Sequence, residues 1–163
     1  MFAAVSKKKS AWKVFKMAER LTSDSYKQVL IQKVFGELYE DGMIFSQDGA
    51  AVHTSRSNLK YINRKTHGQF ISVKGKAYGS CCVDWPPRSP DLNVMDFFAW
   101  DLLKREFFKI PVPENYEQSV AKINDIFTNF NQNMGQFENA IMGIKRRAKA
   151  CINENGGRFE FLD

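Results

Sequence analysis

The sequence predicts an α/β protein, because strand-like and helix-like patterns both recur along the chain. Two apolar segments, Phe2–Val5 and Trp12–Met17, flank a basic turn and have the pattern of an antiparallel β-hairpin. A short apolar run, Met43–Asp48, follows a helical stripe and is typical of a buried strand. Toward the C-terminus, apolar residues recur every three or four positions over two long stretches, which indicates amphipathic helices.

Length, charge and cysteine content narrow the class of protein. The chain has 163 residues, enough for a globular core, and a formal net charge of +6, which suits an anionic partner without identifying one. No apolar run is long enough to span a membrane, and Lys7–Lys9 follows the apolar N-terminal residues, so we expect no membrane anchor and no signal peptide. The adjacent Cys81 and Cys82 predict reduced thiols in an intracellular protein.

The first predicted helix lies between the hairpin and the buried strand. It begins at a cap formed by Thr22 or Ser23 and ends before Gly42, where the strand Met43–Asp48 starts. Its apolar residues follow the period of an α-helix. They are Tyr26, Val29, Leu30, Val34 and Leu38.

A second helix is predicted after the turn that follows this strand, with its start at Thr54 or Ser55. The glycine-rich residues 66–80 come next and favour one short strand, at Phe70–Val73. The apolar segment Cys81–Trp85 favours a further short strand that leads into a proline-rich loop.

That loop is predicted to be rigid, because three prolines hold the backbone extended and prevent a helix before Asp91. Asn93 then caps a helix that carries Phe97 on its apolar face and Asp96 in its first turn. A helix cap with a favourable acid is the simplest interpretation of Asn93 and Asp96, but it leaves the prolines unexplained. The prolines are Pro86, Pro87 and Pro90.

Two amphipathic helices follow a break at Pro111 and Pro113 and are predicted to pack as a hairpin on the sheet. We therefore expect a core at residues 1–110 and a C-terminal helical hairpin at residues 111–163. The basic residues 145–149 are typical of a solvated helix face, although such a face also suits phosphate contacts. The stripes are Tyr116, Val120, Ile123, Phe127 and Phe130, and then Met134, Phe137, Ile141, Ile144, Ala148 and Cys151.

Two carboxylates stand out because of their places in these elements. Asp48 ends a buried strand, and Asp96 lies at the start of a helix that follows a rigid loop. Magnesium prefers hard oxygen ligands, and paired acids at such positions are typical of a magnesium site. The sequence therefore indicates a metal site built on these two residues.

The segments around both acids form long and specific motifs. Residues 47–55 read Q-D-G-A-A-V-H-T-S, and residues 85–100 read W-P-P-R-S-P-D-L-N-V-M-D-F-F-A-W. Together they resemble the catalytic domain of mariner-superfamily transposases, which are cut-and-paste DNA transposases of the DDE/DDD class. The resemblance extends weakly to Tyr26–Leu30 and to residues 151–160.

The resemblance implies an RNase H-like fold, with a mixed sheet flanked by helices and a metal-binding triad of two aspartates and a third acid. On that match Asp48 is the second acid and Asp96 the third, and both are catalytic residues and metal ligands. Two Mg²⁺ ions bridged by the triad would serve DNA cleavage and strand transfer in the nucleus. The two carboxylates are then expected roughly 4–8 Å apart, since paired metals lie about 3.5–4 Å from each other.

The resemblance also assigns supporting and DNA-binding roles. His53 is expected to support the loop after the second acid, and Asp91 to fix the proline loop by hydrogen bonds to backbone amides. DNA is the expected partner, and lysines and arginines near the acids are expected to hold its backbone. These residues are Lys60, Arg64, Arg88, Lys104 and Arg105.

The sequence lacks the first triad acid, which in the family lies on a central strand before the hairpin, and the family's N-terminal helix-turn-helix domains. We therefore expect an N-terminally truncated catalytic domain that is inactive alone and whose open sheet gap allows a homo-oligomer. Two alternatives stay open. One is a co-opted nucleic-acid-binding or protein-interaction module without catalysis, and the other is a complete enzyme whose N-terminal exons are missing from the gene model.

Overall fold

The structure is a computed structural model that describes residues 1–16, 18–86 and 88–156. The predicted strand end at Met17, the loop proline Pro87 and the C-terminal part of the family resemblance, residues 157–160, lie outside the described residues. The described part contains both helices and strands, and the predicted α/β class is confirmed.

The chain divides into two compact units. The first comprises Met1–Ala4 and Ala11–Arg88, and the second comprises Val5–Ser10 and Ser89–Asp163. The predicted division into domains 1–110 and 111–163 stays a prediction.

The predicted hairpin forms from strands β1 (Phe2–Val5) and β2 (Ser10–Lys13). Its basic turn is closed by Ser6, whose amide donates to the Lys9 carbonyl at 2.8 Å. Strand β2 begins two residues before the predicted position and ends at Lys13.

Helix α1 (Ser23–Val29) begins at a capping box, in which Thr22 accepts from the Ser25 amide and the Ser25 hydroxyl accepts from the Thr22 amide. The helix continues with π-type hydrogen bonds over Leu30–Leu38. The predicted stripe is confirmed, since all its residues are buried. The residues are Tyr26, Val29, Leu30, Val34 and Leu38.

Strands β3 (Phe45–Ser46) and β4 (Phe70–Ile71) are parallel and are joined through helix α2 (Arg56–Thr66). Phe45 pairs with Phe70, and Ser46 pairs with Ile71. Each strand is two residues long and therefore shorter than the predicted segments Met43–Asp48 and Phe70–Val73. A third strand does not form at Cys81–Trp85, because the chain bends there and the Trp85 amide donates to the Ser72 carbonyl instead.

The core of the first unit packs the helical stripe against α2 and β4. Leu59, Ile62 and Phe70 are fully buried in it, and Phe35 and Phe45 pack at its edge with ring centroids 5.8 Å apart. Burial of each such side chain contributes about 1.5–3 kcal/mol, so this core holds β3 and β4 in place.

The second unit is helical in its described part apart from the hairpin tip. A 3-10 turn (Pro90–Leu92) leads to a π-type segment (Met95–Ala99), which runs directly into helix α3 (Trp100–Phe107). The two predicted C-terminal helices are confirmed as α4 (Tyr116–Gln132) and α5 (Gly135–Asn153).

A small aromatic core joins these helices. The Phe137 ring of α5 lies 5.2 Å from the Phe130 ring of α4 and 5.5 Å from Phe98, with Ala99 and Leu102 buried beside it. Each predicted C-terminal stripe therefore contributes a residue to this core, Phe130 from α4 and Phe137 from α5. Among the helices that the structure describes, none is long and apolar enough to cross a membrane.

Candidate functional site

Asp48 lies two residues after the end of β3, in the first unit. The Gln47 amide donates to the Ile71 carbonyl of β4 at 3.0 Å, so the parallel pairing holds the backbone up to the residue before the acid. The chain then turns, and the Asp48 carboxylate accepts from the Ala50 amide at 3.0 Å through Oδ1. A short Asx-type turn therefore orients the carboxylate.

His53 contacts the same carboxylate oxygen. Its Nδ1 lies 2.6 Å from Asp48 Oδ1, and since a carboxylate accepts, the ring donates from Nδ1. The His53 ring lies on the ring of Tyr26, with centroids 4.4 Å apart and planes inclined by 33°. The imidazole is thus fixed by the Tyr26 ring and by the Asp48 carboxylate, and its hydrogen bond orients Asp48.

A buried polar network lies beneath this pair. The Tyr26 hydroxyl donates to Gln47 Oε1 at 2.6 Å, and Gln47 Nε2 donates to the His53 carbonyl and to Ser72 Oγ, both at 2.9 Å. Burial, and then the nearby Asp48 carboxylate, raise the pKa of Tyr26 far above its ordinary value, so the phenol stays a neutral donor. The network connects α1, β3 and the segment after β4 under the acid.

The sequence prediction assigned no role to Gln47 or Ser72 and treated Tyr26 as a core residue. The sequence did contain an indication of the role of Gln47. Side chains alternate along a strand, so Gln47 lies on the same side as Phe45. A glutamine at an inward position needs hydrogen-bond partners, and it lies next to the predicted acid.

Asp96 lies in the second unit, in the first turn of the helix that leads into α3, and is exposed. Both polar atoms of the Asn93 side-chain amide form hydrogen bonds within this turn. Its Nδ2 donates to Asp96 Oδ2 at 2.8 Å, while its Oδ1 accepts from the Met95 amide at 3.2 Å. The predicted capping role of Asn93 therefore includes a direct contact with the acid.

The proline loop is fixed through the backbone of Asp91. Arg147 of α5 donates from Nε to the Asp91 carbonyl at 2.7 Å, and its guanidinium lies 4.5 Å from the Phe97 ring centroid. Within the described residues, no backbone amide donates to the Asp91 carboxylate, which was the contact expected from the sequence. The sequence places Arg147 among the basic residues 145–149 of a solvated face, because spacing alone does not show which of them turns inward.

Asp48 belongs to the first unit and Asp96 to the second. The side chain of Asp48 is 40 % exposed, and in the described part of the chain no group donates to its Oδ2, so this oxygen is open to a hard cation. Asp96 is exposed, and its carboxylate accepts from Asn93 Nδ2. No cluster of three or more histidine, cysteine or acidic residues able to hold a metal occurs among the described residues. Each acid fits Mg²⁺ by its chemistry, and a complete ligand set is not formed by these residues alone.

The predicted DNA-binding residues lie on exposed surfaces of both units. Lys60, Arg64 and Arg88 belong to the first unit, and Lys104 and Arg105 to the second. Arg64 also lines a cavity of about 470 Å³, and its guanidinium lies 5.6 Å from the Tyr61 ring. The remaining lining residues are Phe35, Tyr39, Asp41, Lys65 and His67.

Comparison of the chain with protein families, with curated proteins and with solved structures finds no match. The interpretation of the site therefore depends on its own residues. In the first unit, the Ala50 amide and the His53 imidazole hold Asp48 near a strand end. In the second unit, Asn93 holds Asp96 in a helix turn.

Proposed function

We propose that the chain derives from the catalytic domain of a mariner-superfamily DNA transposase. In this proposal Asp48 and Asp96 are the second and third acids of the metal triad. The proposed fold is RNase H-like, and residues 1–163 supply two of the three acids of its triad. DNA is the partner, the protein acts in the nucleus, and its unpaired strand edge allows a homo-oligomer.

The observation that carries the proposal is the arrangement at Asp48. A metal ligand needs one oxygen directed at the cation and a fixed orientation of the carboxylate. The Ala50 amide and His53 Nδ1 both hold Oδ1, while Oδ2 is open. The stretch that makes these contacts is the same Q-D-G-A-A-V-H-T-S segment that carries the family resemblance.

The second acid supports the same proposal through its own loop. Asn93 fixes Asp96, and Arg147 fixes the loop at Asp91, so the carboxylate is held without being buried. When bound, Mg²⁺ would activate the attacking oxygen and stabilise the leaving oxygen of a phosphodiester. The residues of this chain would orient two of the ligands and hold the DNA backbone at exposed lysines and arginines.

The test combines metal binding with cleavage of labelled DNA. With two of three acids, Mn²⁺ should bind weakly and broaden NMR signals near Asp48, and DNA cleavage in Mg²⁺ or Mn²⁺ should be undetectable. Asp48→Asn should remove the broadening, whereas Asp24→Asn, a change at an acid in the first turn of α1, should not. Cleavage that Asp96→Ala abolishes would show that the triad is complete without the missing acid. Mn²⁺ binding that Asp48→Asn leaves unchanged would overturn the metal site.

A second candidate is a nucleic-acid-binding module that has lost catalysis. It is favoured by the cavity on the first unit, where aromatic residues Phe35 and Tyr39 lie beside Arg64 and Lys65. Aromatic rings and cations together suit stacked bases and phosphates. This candidate predicts DNA binding that Arg64→Gln weakens and that Asp48→Asn does not change. The transposase proposal also predicts that Arg64→Gln weakens DNA binding. The two candidates differ at Asp48→Asn, and a change in DNA binding in Mg²⁺ on that substitution would favour the transposase site.

A further inference from the structure

Cys81 and Cys82 are neighbours in sequence, and their side chains interact. In an extended strand adjacent side chains point to opposite faces, but the chain bends at these two residues. The Cys82 thiol hydrogen-bonds to Cys81 as a result. Cys81 is exposed and Cys82 is half-buried, and both are free thiols.

The backbone around the pair is firmly held. The Cys81 amide and the Cys81 thiol both donate to the Gly68 carbonyl, at 2.9 and 3.1 Å, and the Cys82 amide donates to Ser80 Oγ at 3.0 Å. Gly68 has φ +83°, and a Cβ there would meet the Gly79 carbonyl at 3.0 Å and the Cys81 nitrogen at 3.6 Å. The segment is therefore closely packed on the residues that precede β4.

The two thiols have different surroundings. Burial, and then the hydrogen bond to Cys81, raise the pKa of the Cys82 thiol above its ordinary value. Cys82 is thus kept as a thiol beside a sulfur that solvent reaches. An exposed thiol next to a second, resolving cysteine is the arrangement found in redox-sensitive sites.

We propose that Cys81 and Cys82 form a modification site at which a hydroperoxide reversibly closes a disulfide between adjacent residues. The Cys81 thiolate attacks the peroxide, the O–O bond breaks, and Cys81 becomes a sulfenic acid as water or an alcohol leaves. The Cys82 sulfur then attacks Cys81 Sγ, the S–S bond forms, and the S–O bond breaks with release of water. Two electrons pass from the two thiols to the peroxide, and a dithiol reductant returns them.

The disulfide is expected to be easily reduced. Adjacent Cα atoms are about 3.8 Å apart, closer than the roughly 4.4–6.8 Å of most disulfides, so the ring is strained. A strained and exposed disulfide is regulatory more often than structural. Its formation also removes the Cys81 thiol hydrogen bond to Gly68, which loosens the segment between β4 and the proline loop.

The experiment treats the whole chain with hydrogen peroxide and analyses an unreduced digest by mass spectrometry. We expect the peptide that contains both cysteines to lose two hydrogens, and free thiols to fall from three to one per chain, with full return after dithiothreitol. Cys151→Ser should leave this response unchanged. Cys82→Ser should give no internal disulfide and instead a sulfenic acid at Cys81 that dimedone traps.

Two outcomes would overturn the proposal. One is oxidation of Cys81 and Cys151 at similar rates without a Cys81–Cys82 disulfide, and the other is a disulfide that joins two chains. The peptide mass from the unchanged protein decides between these results even where a serine variant fails to fold. Since none of these measurements involves DNA or metal, failure here is separate from failure of the transposase proposal.

Discussion

At the scale of single residues, His53, Tyr26 and Gln47 show how a partly exposed acid is oriented from a buried layer. The His53 imidazole hydrogen-bonds to Asp48 at 2.6 Å and packs against the Tyr26 ring. The Tyr26 hydroxyl in turn donates to Gln47. A buried hydrogen bond contributes only about 0.5–1.5 kcal/mol, but a buried acceptor left without its donor costs about 1–3 kcal/mol. The network is therefore sensitive to loss of any one donor.

Tyr26→Phe tests that sensitivity. The change keeps the ring under His53 but leaves Gln47 Oε1 without its donor in a buried site, so we expect a loss of about 1–3 kcal/mol in the free energy of unfolding by urea. The control is Tyr39→Phe, which removes a hydroxyl that donates to the partly buried Met43 carbonyl at 3.0 Å. That loss should be smaller, about 0.5–1.5 kcal/mol. Equal losses would mean that the network adds nothing beyond an ordinary hydrogen bond.

At the scale of elements, helix ends decide how the acids are presented. Helix α1 begins with reciprocal bonds between Thr22 and Ser25. Ser55, by contrast, makes no side-chain capping bond to an amide of α2, and its hydroxyl lies 3.5 Å from the Ser57 hydroxyl. Helix α5 reaches the proline loop through Arg147, so a C-terminal element helps to hold the loop that carries Asp96. The helix cap and the Arg147 contact can each be tested by comparing the unfolding free energy of a variant that loses the contact with that of a similar control variant.

Thr22→Ala and Ser55→Ala form one such contrast. Loss of the Thr22 side chain leaves the Ser25 amide of α1 without its acceptor, so thermal or urea unfolding should show a loss of about 1 kcal/mol. Ser55→Ala should change the free energy of unfolding by less than about 0.5 kcal/mol, because its hydroxyl caps nothing. A larger effect at Ser55 than at Thr22 would contradict this assignment of the caps.

Arg147→Lys tests the link between α5 and the proline loop. Lysine keeps the charge but lacks the planar group that both donates to the Asp91 carbonyl and lies on Phe97, so we expect a loss of about 1–2 kcal/mol. Hydrogen exchange should become faster at the Leu92 and Asn93 amides, which donate within this loop. The matched control is the exposed neighbour Arg146→Lys, expected within about 0.5 kcal/mol. Unchanged exchange in the loop would refute the link.

At the scale of the whole molecule, charge is the property that bears most directly on the proposed partner. The net charge of +6 and the exposed Lys60, Arg64 and Lys104 suit an attraction to DNA phosphates. Such attraction is independent of sequence and falls as salt displaces the released counterions.

DNA binding should therefore be weak and strongly dependent on salt. A titration of labelled duplexes of different sequence should give similar affinities, and the logarithm of the binding constant should fall linearly with the logarithm of salt concentration. Lys60→Gln with Arg64→Gln should lower the affinity and reduce this slope. As a matched control, Lys7→Gln with Lys8→Gln removes the same charge from the hairpin turn and should reduce the slope less. Tight binding to one sequence with a flat salt response would contradict the prediction and favour a specific binding module.

Much of the fold could be predicted from local patterns. The stripe from Tyr26 to Leu38 and the two C-terminal helices follow from residues three or four positions apart, whose spacing places them on one helix face. The α/β class follows from these helices together with the short apolar segments of the strands. The strand Phe2–Val5 forms as predicted, but the strands predicted at Met43–Asp48 and Phe70–Val73 were too long, and the strand at Cys81–Trp85 does not form. Strand length depends on a partner distant in sequence, which no local pattern contains.

The sequence by itself determined where the longer helices lie, the caps at which α1 and α2 begin, and that Asp48 and Asp96 lie near a strand end and in a helix turn. Only the tertiary structure decided how these acids are held, because the contacts join distant positions. Gln47 meets Tyr26 and Ser72 across the core, and Arg147 reaches Asp91 from another helix. A side chain's partners depend on how elements pack, whereas its place on a helix face depends only on neighbours along the chain.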